Sequence, residues 1–158
     1  MKHILPIFFT LLLTFSSHAQ TSSPKDLTPY FTAIIVSNMD SSLVWYQQVL
    51  GFDVVNNKQF PEMGFKQANM TRGSASLELI ELSSAINPQE VIPNYNAKTK
   101  IQGLFKFGFQ VDDFDKWIEY LEEQKVPFNG GVVTDELTNK RMVIILDPDN
   151  NRIQLFEK

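Results

Sequence analysis

The chain has 158 residues, 43% of them hydrophobic, with 14 Lys and Arg against 18 Asp and Glu, two His and no Cys. An acidic balance without any Lys/Arg-rich run argues against nucleic acid and anionic membrane as partners. The absence of Cys excludes disulfides and thiolate chemistry, so a hydrophobic core has to hold the fold.

Lys2 precedes an apolar run from Ile4 to Phe15, and Ser17 and Ala19 are the small residues three and one before a cut after Ala19. This is the pattern of a secretory signal peptide over residues 1–19. The run is too short to span a bilayer, which takes about 20 residues. An exported protein is expected, periplasmic or extracellular, with no membrane attachment once the signal is cleaved. Both histidines, His3 and His18, leave with that segment. The mature chain then offers neither imidazole nor thiolate, which removes the usual ligands of zinc, copper and non-haem iron and any Ser-His or Cys-His nucleophile pair. Oxygen-ligand metals such as Mg, Ca or Mn stay open. About 140 residues remain, enough for one domain with a full core.

A Ser/Pro/Lys-containing leader, residues 20–29, reads as flexible. FTAIIV (31–36) reads as a strand, and Asn38 or Asp40 can cap a helix whose apolar stripe is Met39, Leu43, Tyr46 and Leu50, ended by Gly51. Strands near 52–56, 63–70 and 75–82 complete a first module. A long linker, 83–103, carries Ile86, Val91, Ile92 and Tyr95 and is expected to pack rather than float.

In LFKFGFQV (104–111) a period-two pattern sets Phe105, Phe107, Phe109 and Val111 on one face and Leu104, Lys106, Gly108 and Gln110 on the other. Asp112 or Asp113 can cap the following helix, whose stripe is Phe114, Ile118 and Leu121. Strands near 128–133, 140–146 and 151–157 follow, with Asp147-Pro148-Asp149-Asn150 as a turn. Val36 and Val111 correspond at an offset of 75, and Phe52 with Phe128 and Leu79 with Leu155 at 76. The chain is therefore an α+β tandem repeat of strand, helix and three strands, modules about 30–82 and 104–158, neither with apolar surface enough to stand alone.

IIVSNMDSSLVWYQQVLGF and GFQVDDFDKWIEYLEEQKVPF, each module closed by a strand (LELIEL, and RIQLFEK after LDPDNN), resemble the vicinal oxygen chelate superfamily, which includes glyoxalase I, extradiol dioxygenases and bleomycin-resistance proteins. The resemblance covers residues 30–158. It implies two βαβββ modules forming curved mixed sheets around a cleft, where enzymes of the family hold a divalent metal. Carried over residue by residue, the family's ligand positions fall on Phe31 and Lys106, where His is usual, on Glu78, which keeps the family's Glu, and on Gln154, which does not. A cleft without metal or other cofactor follows, in which these four residues meet a small molecule. Lys106 supplies part of the charge a metal would have given, which suits an anionic or zwitterionic ligand. The resemblance also leaves room for a homodimer that builds the cleft between two chains. Three readings stand side by side: a metal-free small-molecule-binding protein; an enzyme of lyase, isomerase or dioxygenase type using an oxygen-ligand metal or a Glu78/Lys106 acid-base pair; and a structural or partner-binding domain whose cleft is filled.

Overall fold

The computed structural model describes residues 28–96, 98, 99 and 101–158. The signal peptide and most of the leader lie outside the described residues. Strand β1 (Thr32–Ile35) leads into helix α1 (Met39–Gln48), strand β2 (Asp53–Phe60), a single 3-10 turn (Pro61–Met63), and strands β3 (Phe65–Arg72) and β4 (Ala75–Leu82). A one-turn helix α2 (Pro88–Val91) sits in the linker. The second module runs β5 (Phe107–Val111), α3 (Phe114–Glu123), β6 (Val133–Thr134), β7 (Arg141–Leu146) and β8 (Arg152–Glu157).

Each module makes a four-stranded mixed sheet, β1-β4-β3-β2 and β5-β8-β7-β6. The first strand pairs parallel to the last in both, with Ala33 opposite Glu78 and Gly108 opposite Gln154. A parallel pair needs a crossover, and the helix between the first and second strands provides part of that return path. The register makes the repeat exact at the backbone level, since Ala33/Gly108 and Glu78/Gln154 keep the offsets of 75 and 76 seen in the sequence.

Helix α1 starts where Asn38, in an extended conformation, accepts the Ser41 N–H on its side chain at 2.9 Å. Its stripe is buried as the spacing requires: Met39 and Tyr46 are fully inaccessible and Leu43 and Leu50 nearly so. Burying each aliphatic side chain of this size contributes about 1.5–3 kcal/mol. Gly51, at φ +63°, takes the left-handed conformation that ends the helix. The stripe packs on alternate residues of the sheet, Ala68 and Met70 of β3 and Leu77 and Leu79 of β4. In the second module Phe114 and Leu121 meet Val143, Ile145, Ile153 and Leu155 in the same way. All belong to one continuous core shared by both modules.

Four details depart from the sequence reading. Phe105 does not continue the β5 face: the strand starts at Phe107, and Phe105 is 51% exposed. The expected strand at 128–133 is reduced to one bridge, Phe128 with Ile145, before the two-residue β6, because Gly130, at φ +97°, and Gly131 break the ladder between them. Asp113 stands at the N-cap of α3, yet in a left-handed conformation and with no side-chain cap bond; its carboxylate pairs with Lys116 at 3.0 Å instead. In the linker, Ile86 and Val91 are exposed, while Ile92 and Tyr95 are half-buried. Among the described residues nothing covers Ile86 and Val91.

Candidate functional site

Strand alternation decides which side chains can meet a ligand. In β4, Leu77 and Leu79 point to the helix and the core, so Glu78 projects from the open face of the first sheet, half-buried. In β8, Ile153 and Leu155 are the core residues, and Gln154 projects from the open face of the second sheet although it is only 3% exposed. Phe31 precedes β1 by one residue, two positions before Ala33, and is half-exposed, edge-to-face with Tyr30 at 5.3 Å. Lys106 precedes β5 by one residue, two positions before Gly108, and is half-buried.

Within each sheet the expected positions lie on adjacent strands but two residues out of register, since Ala33, not Phe31, is opposite Glu78 and Gly108, not Lys106, is opposite Gln154. The bonds they make are local. A Glu78 carboxylate oxygen accepts from the Gln67 side-chain amide of β3. The Gln154 amide nitrogen lies 2.8 Å from the Met142 sulfur of β7. Lys106 lines a cavity of about 100 Å³ with Phe105, Asn150, Asn151 and Arg152, and neither Phe31, Glu78 nor Gln154 reaches that cavity. Among the described residues no ion pair joins Glu78 to Lys106.

The donor set does not fit a transition metal ion. Phe31 has no lone pair to give, Lys106 is cationic, and of the four positions only Glu78 is a carboxylate, already engaged by an amide donor. Among the described residues no group of three or more His, Cys, Asp or Glu comes together in a metal-holding arrangement.

Arg152, which sequence reasoning passed over, stands beside Lys106 on the same open face. Continuing the β5/β8 register one step beyond Phe107 and Ile153 sets position 106 against position 152. The Phe105 ring lies 4.9 Å from the Arg152 guanidinium carbon and 6.0 Å from the Lys106 ammonium. The repeat itself held the signal: two cations, Lys106 and Arg152, occupy positions where the first module has Phe31 and Ser76.

The joint between modules holds a second polar group of note. The Tyr46 hydroxyl donates to a carboxylate oxygen of Asp147 at 2.9 Å, both groups buried, and the Ser37 N–H donates to Asp149 at 3.0 Å. Burial pushes the Asp147 carboxyl up, against the pull of its bonds from Asn151, Tyr46 and Asp149. The Tyr46 phenol is pushed far above its ordinary value by burial and by Asp147, so it stays a neutral donor. A wider cleft of about 810 Å³ opens between the β3–β4 turn and the unpaired edge of β5, where Arg72 lies 5.1 Å from the Trp117 ring and donates to the Leu50 carbonyl at 2.5 Å. Trp117 thus holds a cation at the module boundary.

The model of the Glyoxalase/Bleomycin resistance protein/Dioxygenase superfamily matches residues 29–155. The chain belongs to this superfamily. It is 29% identical over 126 residues to the uncharacterized protein YwkD of Bacillus subtilis, covering 80% of this chain and 93% of that protein. It is 26% identical over 120 residues to the metallothiol transferase FosB of Staphylococcus epidermidis, covering 76% and 74%. The crystal structure of a glyoxalase family protein from Enterococcus faecalis superimposes with a TM-score of 0.71 at 25% identity, over 82% of this chain and 97% of that one. Two mixed four-stranded sheets in tandem modules are the architecture expected of this superfamily.

Proposed function

We propose that this superfamily member is an exported small-molecule-binding protein that works without a resident transition metal, its ligand meeting the open sheet faces that carry Phe31, Glu78, Lys106 and Gln154. The observation that carries this reading is the donor set at those four repeat-related positions. A carboxylate held by Gln67 and a carboxamide against Met142 suit hydrogen bonding to an organic ligand better than coordination of a cation. The half-buried ammonium of Lys106 favours an anionic or zwitterionic ligand. A homodimer in which the open faces of two chains confront each other would enclose such a ligand on both sides.

Catalysis by Glu78 and Lys106 as an acid-base pair remains the second reading, supported by the transferase among the relatives. It asks the two groups to approach each other, and in this chain the bonding partner of Glu78 is Gln67.

Protein secreted by its own host decides the matter. N-terminal sequencing is expected to begin at Gln20 or Thr21, native mass spectrometry to reveal a co-purifying small molecule, and elemental analysis to find no stoichiometric zinc, iron, nickel or copper. One tightly bound transition metal per chain, or a melting temperature that falls on adding EDTA, overturns the metal-free reading. An intact Met1 overturns export.

A further inference from the structure

We infer that Lys106 and Arg152 form an oxyanion site that takes the anionic head of the ligand, a phosphate, sulfate or carboxylate group. The inference rests on the binding function proposed above and names the chemistry that would be recognised.

Three observations converge on it. First, Arg152 Nε is buried and, among the described residues, has no hydrogen-bond partner, and the rest of the guanidinium donates to none of them either. A buried guanidinium donor left unpaired is costly, so the position demands an acceptor. Second, Arg152 and Lys106 are side by side in the β5/β8 register, and among the described residues neither forms an ion pair. Adjacent like charges repel unless an anion lies between them. Third, both line the same cavity of about 100 Å³ with Asn150, Asn151 and Phe105, a volume that suits a small oxyanion but not a whole organic molecule.

The nearby carboxylates do not fill this role. Asp135 feels the charge of Lys106, but its carboxylate is engaged by the Thr138 hydroxyl at 2.6 Å and the Thr138 N–H at 3.2 Å. Asp149 accepts the Ser37 N–H, and Asp147 is taken by Tyr46 and Asn151. Phe105 covers the pair from one side, which limits water and strengthens the attraction for an anion. The planar guanidinium can grip two oxygens at once while the ammonium contributes a point charge. The ligand's body would then run along the open face toward Gln154, the next outward-facing residue of β8.

Titration of isotopically labelled full-length mature protein with inorganic phosphate and, separately, with phenyl phosphate tests the site. Both are expected to shift the Arg152 Nε–H resonance, phenyl phosphate at least tenfold more tightly if an organic body contributes. Arg152→Gln and Lys106→Met are each expected to weaken both anions about tenfold or more, the size of a lost charge-assisted hydrogen bond. Arg152→Lys, which keeps the charge and the fold, should recover only part of the affinity because the two-oxygen grip is gone. Equal affinity for the two anions supports the site and assigns it to free oxyanions. An Arg152 signal that neither anion moves, or binding that survives all three variants, means that water alone satisfies the guanidinium and overturns the inference. Failure of the binding function is distinguishable: the secreted protein then carries no organic ligand, while phosphate still moves Arg152.

Discussion

At the residue scale the close approach of β5 and β8 depends on one missing side chain. A Cβ built on Gly108 would lie 2.6 Å from the Gln154 main-chain oxygen, a contact that backbone cannot relieve cheaply. Gly108→Ala is therefore expected to cost roughly 1–3 kcal/mol by forcing the strands apart. At Gly131 the added Cβ meets nothing within 4 Å, and Gly131→Ala should stay within about 0.5 kcal/mol of neutral. Urea denaturation of both variants checks the contrast. A second residue-scale effect concerns Glu81, whose carboxylate accepts the Met39 N–H at 2.6 Å and pairs with Lys66 at 2.9 Å. Lys66, and after it the Met39 N–H, hold the Glu81 carboxyl below the usual carboxylate range. A lowered folded-state pKa means stability present above the unfolded value, near 4.3, and lost as pH falls through the folded one. Glu81→Gln should flatten the acid-side fall in melting temperature below about pH 5, as followed by circular dichroism. An unchanged acid-side slope would dismiss Glu81 as a contributor.

The two helices occupy equivalent places in the repeat but begin differently. Asn38 closes the first turn of α1 with its own side chain, whereas Asp113 turns left-handed and spends its carboxylate on the exposed Lys116. Loss of a working cap costs about 1 kcal/mol, and loss of an exposed pair close to nothing. Asn38→Ala should thus lower the unfolding free energy by about 1 kcal/mol, while Asp113→Asn, which removes the charge but keeps a side chain tolerant of the left-handed conformation, should change it by less than about 0.5 kcal/mol. Equal losses in calorimetry would show that cap chemistry does not distinguish the modules. Among the strands, β1, β3–β5 and β7 follow their alternation closely, while β8 buries Gln154 along with Ile153 and Leu155. β6 does not follow its alternation, since two successive glycines supply no side chains to pack and let the chain leave the ladder.

For the whole molecule, the modules hold together through a few contacts between residues far apart in the chain. Tyr46 reaches Asp147, Ser37 reaches Asp149, and the Tyr120 hydroxyl donates to the Gln48 carbonyl at 2.5 Å. Phe52 meets Phe109 at 5.8 Å between ring centres. Tyr46→Phe keeps the ring in the core and removes the donor to a buried carboxylate, which should cost about 1–3 kcal/mol. Because the core is shared, the loss should appear as one cooperative transition at lower denaturant concentration, not as a module melting separately. Two resolved transitions in the variant would show that this bond couples the modules.

What the sequence determined by itself was everything carried by short-range pattern: the repeat and its offsets, the helix stripes, a cap at Asn38 or Asp40 from which the structure chose Asn38, the alternation of Leu77, Glu78 and Leu79, and the family. Those features depend on periods of 2 and 3.6 residues and on cap chemistry, which are complete within a few positions of the chain. Only the tertiary structure decided that Phe105 leaves the strand to cover Arg152, that Glu78 bonds to Gln67 and not to Lys106, and that the half-buried Arg152 has a buried Nε with no hydrogen-bond partner among the described residues. Each of these depends on which side chains distant strands or a turn deliver to the same place. An arginine two residues before a glutamine reads alike in a solvated strand and in a half-buried pocket; the desolvation that separates the two comes from neighbours such as Phe105, carried there by the segment that leads into β5.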